Sequence, residues 1–498
     1  MPFKPYELGQ RSLFGYEPKD CLDSDDPAFF VAEVVGQMDL SALKCQGEGA
    51  GQPPYHPKMM VSILIYAMMR GIHSSRALAA ACRRDMGFIH LAAGRRPCFK
   101  TICNFRNTHG EAIRRLMAQV LAVAARMHLE VGGSPVLDST RIRACASRDK
   151  MIRSDDYGRA LDAVDAYLSR ARITDEEEDE HWGGQNGYYL PKSVRKDPGR
   201  LKQLKQAIKE AQASDLKALS PTDIDCREMR ESNTTRVRPG YALQAAIDKD
   251  SGLITVCDVT AEQSDNSFAP EAVKQHEQNT GKKPGSLDAD SGYFEAGAIG
   301  EMEEDGINVC IPDSNTAAEL HRERGKEKKA DKQTGGAPDD KTSGTAERQQ
   351  AARPTLEDFE PVEGRDEWRC PAGRQMQKAG RFTRDGRRYT RYRCKEKCTG
   401  CDIAARCLRK SDHGRRTIEV SEDHLTVRKN RQRFKEEAHR QRYRKRGSCI
   451  ERIFGHLKRN LRFIQWLHRG LDKVKTTAAL FAIAFNIMVL ARHPARSA

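Results

Sequence analysis

Apolar residues are scarce in this chain: only 38% of its 498 residues are hydrophobic. A share that low argues against one compact globule and predicts polar insertions between cored segments. The length still allows roughly two to four domains, each able to bury a core. No charged-then-apolar leader opens the sequence, which starts MPFKPYELGQ, so export is not expected. No long apolar run is present either. The longest, Ala478 to Ala491, is 14 residues, is interrupted by Asn486, and falls short of the roughly 18–20 that cross a bilayer. It predicts a buried core helix and no membrane partner. The 15 cysteines are an odd number without an export signal, so reduced thiols in the cytoplasm are expected, and clustered ones raise the question of metal before that of disulfides.

Positive charge, by contrast, is in excess. Lys and Arg number 85 against 70 Asp and Glu, a net of +15 with a pI near 9.1. Residues 421–470 hold 15 of the bases and 5 of the acids, a net of +10 in a tenth of the chain. A basic run is often just a solvated helix face. Concentration of most of the net charge in one segment favours contact with phosphates. The opposite extreme, DEEEDE at 175–180, reads as a solvated acidic block.

Periodicity gives the organisation. Pro57 to Arg70 is apolar nearly all round, as in a helix buried in a bundle. His73 or Ser74 can cap a helix through Arg83, a short one spans Phe99 to Asn107, and a longer one runs from about Glu111 to His128. Such a set suits a helix-turn-helix bundle or a packing domain equally. SPVLD reads as a short strand ending at Asp138, followed by charged helix over 151–220. YALQAAID (241–248) and LITVCDVT (253–260) flank a KDSG turn and predict a hairpin. Residues 267–279 and 295–304 read as helices, 285–290 and 307–312 as strands. This is an α/β order. Residues 314–363 lack periodicity and read as a low-complexity linker.

Three carboxylates stand out. Asp138 and Asp290 each close a strand, where side chains project into a crevice. Either alone suits a turn or a helix cap. Together they would repel unless a hard cation such as Mg²⁺ lay between them. Glu451 lies in RKRGSCIERIFGHLKRNLRF. On a helical wheel Ile450, Ile453, Phe454, Leu457 and Leu461 form one stripe, and Glu451, Gly455, Lys458 and Arg462 another about 100° away. A helix docked by the first stripe offers a carboxylate, a gap and two bases along its flank.

VLDSTRIRACAS, RPGYALQAAIDKDSGLITVCDVT, LDADSGYF and YRKRGSCIERIFGHLKRNLRF together resemble the catalytic blocks of bacterial insertion-sequence transposases of the DDE type. PPYHPKMMVSILIYAMMRGIHSSRALAAACRRD is similar to the helical domain that precedes that core. The resemblance implies a ribonuclease H-like fold with Asp138, Asp290 and Glu451 as the acidic triad. It implies two Mg²⁺ ions, with Mn²⁺ as a substitute, and cleavage and joining of double-stranded DNA at terminal inverted repeats and a target. A homodimer holding both ends is implied too. The family's pattern pairs the Glu with a Tyr, an Arg and a Lys. Lys458 has the expected spacing, whereas Tyr443 and Arg446 lie one residue farther upstream than usual. Arg446, Lys458 and Arg462 would position phosphates, and Tyr443 would contact DNA near the cleavage point. A non-catalytic DNA-binding relative and a metal-dependent nuclease without strand transfer are the alternatives.

Cys370, Cys394, Cys398, Cys401 and Cys407 fall within 38 residues. Thiolates two to four apart can chelate tetrahedral zinc, and five thiols for four positions leave one spare. The expected organisation is therefore a helical, DNA-binding domain (1–130), the first part of the catalytic core (131–313) with its charged insertion, the linker (314–363), a Cys-rich module with a candidate structural zinc (364–420), and a basic segment with C-terminal helices completing the core (421–498).

Overall fold

The computed structural model describes residues 17–43, 53–170, 197–230, 236–330, 353–362, 364–384, 387–409 and 412–493. The acidic block at 175–180 and much of the low-complexity stretch lie outside these residues. The first helices are α1 (Pro27–Gly36), α2 (Pro57–Met69), α3 (Ser75–Arg84), α4 (Met86–Leu91), α5 (Phe99–Thr108) and α6 (Gly110–Arg126). Strands β1 (Pro135–Arg143) and β2 (Ile152–Arg153) follow, then α7 (Tyr157–Arg170), α8 (Pro198–Ala213), β3 (Ala218–Leu219) and β4 (Arg227–Arg230). Next come β5 (Val237–Asp248), β6 (Ile254–Thr260), α9 (Phe268–Thr280), β7 (Ser286–Asp288), α10 (Ala296–Glu304), β8 (Asn308–Cys310) and α11 (Ser314–Ala330). The chain continues through β9 (Glu360–Pro361), β10 (Glu367–Arg369), β11 (Gln375–Arg384), β12 (Arg387–Cys394), α12 (Ala404–Cys407), β13 (Thr417–Ser421), α13 (His424–Arg433), α14 (Glu437–Gly455) and α15 (Leu471–Ala491). The order is mixed α/β, as the periodicity predicts.

Two compact units result: Met1–Tyr293 with Arg444–Ala498, and Phe294–Tyr443. In the first, β1 is the pivot. It pairs antiparallel with β5 along its whole length and parallel with β7 at Val136 and Asp288, while β6 extends the sheet beyond β5. The predicted strand SPVLD is therefore too short. Asp138 lies mid-strand, opposite Ala245, because the long β5 supplies partners as far as Arg143. The helical N-terminus shares one buried core with this sheet, so packing shows no break near residue 130. Met60, Ile63 and Leu64 of α2, Leu116 and Val120 of α6, Leu243 of β5 and Ile453 of α14 belong to the same cluster. The apolar C-terminal run is indeed a helix, α15. It is 21 residues long and apolar enough to cross a bilayer by length and composition, but here it packs mostly buried against α2, α6 and β6. The charged insertion between β1 and β5 has a core of its own, formed by Tyr157, Val164, Leu201, Leu204 and Ile208.

The second unit corrects one expectation. Residues 314–330 are not a structureless linker but helix α11. Asp313 accepts hydrogen bonds from the Asn315 and Thr316 amides, capping the helix, and Leu320 packs with Cys310 and Phe434. Ala, Glu and Lys, which make the stretch look merely polar, are also good helix formers. The Cys-rich segment has a sheet of its own. It builds a five-stranded antiparallel sheet, in the order β13-β12-β11-β10-β9, over Phe359, Trp368, Met376, Ile418 and Val420.

Candidate functional site

The parallel register brings two of the three predicted carboxylates level. Val136 pairs with Asp288, and Asp138 and Asp290, each two residues further on, come close enough for their charges to interact. Asp290 lies just past the end of β7, where its Oδ1 accepts a hydrogen bond from the Gly292 amide at 2.9 Å. Asp288, the other acid of LDAD, is fully buried and ion-paired with Lys249, which leaves Asp290 as the one turned to the site.

Asp138 is a strained acid. Burial pushes its carboxyl up to about 6, with Asp290 and Asp265 adding in the same direction and Arg446 opposing. The Arg446 guanidinium, from α14, lies 3.6 Å from its Oδ2, and the Ser139 amide donates to its Oδ1 at 2.7 Å. Negative charge held out of water at a strand pair is a place where a cation would be stabilising.

Glu451 is not drawn into this pair. It lies exposed on α14, its Oε1 over Gly447, while Arg446 from the preceding turn meets Asp138. Among the described residues no three His, Cys, Asp or Glu side chains are grouped so as to hold a metal ion. Arg446 supplies the counter-charge to Asp138.

The remaining predicted residues scatter. The α-helix carrying Glu451 stops at Gly455 and gives way to a π turn over His456–Asn460, so the wheel that aligned Lys458 and Arg462 with Glu451 does not continue. Lys458 is half-buried, and burial lowers its ammonium below the usual lysine range. Arg462 is exposed, with its backbone in the left-handed region (φ 51°). Tyr443, in the second unit, packs edge-on against Phe434 with ring centroids 5.8 Å apart.

One acid escaped the sequence reading. Asp265, in the loop before α9, accepts hydrogen bonds from the Ser139 hydroxyl (2.8 Å), Arg141 (2.9 Å) and the Gln244 amide (2.6 Å). Buried Tyr293 donates to Gln244, tying the turn after Asp290 to the same network. No local pattern in EQSDNS marks Asp265; only the alternation that puts Ser139 and Gln244 on one sheet face points toward such a network.

The five predicted thiols lie in the second unit. Cys370, Cys394, Cys398 and Cys407 are buried in one cluster with the sheet's apolar side chains, and burial pushes the Cys394 and Cys407 thiols up. Cys370 opens a turn closed by the Gly373 amide on its carbonyl (2.8 Å), and the Arg416 amide donates to the Cys398 Sγ at 3.4 Å.

Comparison with known families gives two matches. Residues 369–491 match the family described as "Transposase DDE domain", and residues 17–108 match one described as "Transposase domain". The first match contains Glu451; Asp138 and Asp290 lie outside both. No curated protein and no solved structure matches the chain.

Proposed function

Starting from the two family matches, which indicate an insertion-sequence DDE transposase, we propose that the chain cleaves the ends of its own element and joins them to target DNA by metal-dependent phosphoryl transfer. The observation that carries this reading is the approach of Asp138, on β1, to Asp290, just past the end of the parallel strand β7, with the Asp138 carboxyl raised to about 6. The matched DDE domain implies a ribonuclease H-like core. The arrangement of β1 between antiparallel β5 and parallel β7, with β6 beyond β5, supports it.

In this reading Asp138 and Asp290 hold Mg²⁺ from the sheet and Glu451 completes the set from α14. When bound, the metal supplies charge stabilisation for in-line attack at phosphorus. Arg446 supplies the counter-charge beside Asp138 and so opposes the effect of its burial. Asp265, Arg141 and Gln244 fix the backbone beside Asp138, so that its carboxylate is held in place. Lys458 and Arg462 remain candidates for phosphate contacts, and Tyr443 for DNA contact. A homodimer would hold two ends together. The test is a labelled inverted-repeat end incubated with Mg²⁺ and a target plasmid. A joined product is expected. Cutting without joining would favour a nuclease, and binding alone a non-catalytic relative.

The same reading includes one structural zinc ion on four of Cys370, Cys394, Cys398, Cys401 and Cys407. Support comes from the buried cluster that Cys370, Cys394, Cys398 and Cys407 share and from the amide donated to Cys398, as metal-binding thiolates commonly receive. The thiols would have to close in around the ion. Metal analysis of intact protein prepared without chelator should find close to one equivalent of zinc. Less than about half an equivalent would overturn the assignment.

A further inference from the structure

A strongly basic concavity of the first unit lies toward the other end of β1 from the acidic pair. A cavity of about 310 Å³ is lined by Arg141, Arg143, Arg230, Arg238 and Lys458. Its neighbour, about 380 Å³, shares Arg143, Arg238 and Pro239 with it and adds Arg148, Asp149 and Arg236. Arg141 also pairs with Asp265. Among the described residues cations outnumber acids around this crevice, which suits a polyanion whose own counterions are released on binding.

The crevice is not only basic. Ile142, Met229 and Pro239 give it an apolar wall, and Ile464 stands on its rim with 54% of its surface exposed. That exposure is built in. Phe463 and Trp466 on either side are buried and pack edge-on against each other. The loop is tied to the end of β1 by three hydrogen bonds: the Trp466 amide to the Arg143 carbonyl (2.8 Å), Gln465 to the Ala144 carbonyl (3.0 Å) and Arg469 to the Cys145 carbonyl (3.0 Å). With Phe463 and Trp466 anchored inward, Ile464 is held half-exposed beside the arginines of the crevice, where its apolar surface suits the flat face of a base.

We propose that this crevice is a binding site for an unpaired nucleic-acid strand, whose phosphates lie on Arg143, Arg230 and Arg238 and one of whose bases packs against Ile464. The proposal rests on the DNA-acting reading given above, but it concerns binding rather than the acidic pair. In a duplex, stacking and pairing keep base faces from reaching Ile464; an unpaired base presents one freely.

The test is fluorescence anisotropy on the full chain in EDTA, with one labelled oligonucleotide as a single strand and annealed as a blunt duplex. Working without metal separates this result from the phosphoryl-transfer reading, which metal-dependent cleavage tests. Ile464→Ser should weaken single-strand binding about tenfold and leave duplex binding unchanged, and Ile464→Trp should retain or strengthen single-strand binding. Arg143→Ala with Arg238→Ala should weaken single-strand binding and lower the salt slope by about one to two. The proposal is overturned if Ile464→Ser, with an unchanged melting temperature, alters neither form or both equally, or if the double arginine variant leaves the salt slope as it was.

Discussion

Asp138→Asn is expected to stabilise the metal-free protein while abolishing Mg²⁺-dependent DNA cleavage. The two effects have opposite signs because the same burial causes both. Raising the carboxyl from 3.8 to about 6 means that the folded state holds its proton more tightly than the unfolded chain. Stability therefore falls as pH climbs from about 4 to about 6 and is flat above that, by about 3 kcal/mol in all. Asparagine is nearly isosteric and keeps the acceptor for the Ser139 amide. It carries no charge to desolvate and none to face Asp290. The Arg446 contact at 3.6 Å is lost, which takes back part of the gain. The net expectation is about 1–2 kcal/mol at pH 8, read as a melting temperature a few degrees higher in EDTA, and no gain at pH 4. A variant that is destabilised equally at both pH values would show that Asp138 is not held under electrostatic strain.

Asn486→Leu is expected to cost about 2–4 kcal/mol, although it replaces a polar residue by an apolar one in a long apolar helix. Asn486 is fully buried in α15. Its Oδ1 accepts from the Ile254 amide and its Nδ2 donates to the Ile254 carbonyl, both at 2.8 Å. Ile254 opens β6 and is itself buried. Leucine fills much the same volume, so the loss isolates the two orphaned backbone groups rather than a cavity. Asn486→Asp should be worse still, since it removes the donor and buries a charge. Thermal or urea unfolding reads both, and an unchanged midpoint for Asn486→Leu would contradict this account. In the sequence the asparagine looks like a flaw in an apolar run; in the fold it fastens α15 to a strand more than 200 residues away.

That contrast explains what can be read from the chain and what cannot. Helix α2, helix α9 and the β5–β6 hairpin were legible because their signals are local: apolar all-round packing, a helical period, a Gly-containing turn between apolar runs. The length of β1 was not, because β5 supplies its partners from about a hundred residues downstream. The π turn after Gly455 interrupts a perfect helical wheel without any breaker residue inside it. Helix α11 was hidden by the overlap between good helix formers and low-complexity composition, and the sheet of the Cys-rich segment by attention to its thiols. Asp138 and Asp290 were found by motif, but their level placement needed the parallel register. Asp265 itself has no local signal; only the pairing of Ser139 with Gln244 across the sheet points to its network.

Glu451 is where the central claim can most directly fail, since it stands apart from Asp138 and Asp290 and is joined to them only in the proposed metal-bound site. The decisive measurement compares Mg²⁺-dependent cleavage of a labelled element end by wild type, Asp138→Asn, Asp290→Asn and Glu451→Gln, with DNA affinity measured alongside. The account predicts that all three variants lose cleavage and keep DNA binding close to that of the wild type. Near wild-type cleavage by Glu451→Gln would contradict it.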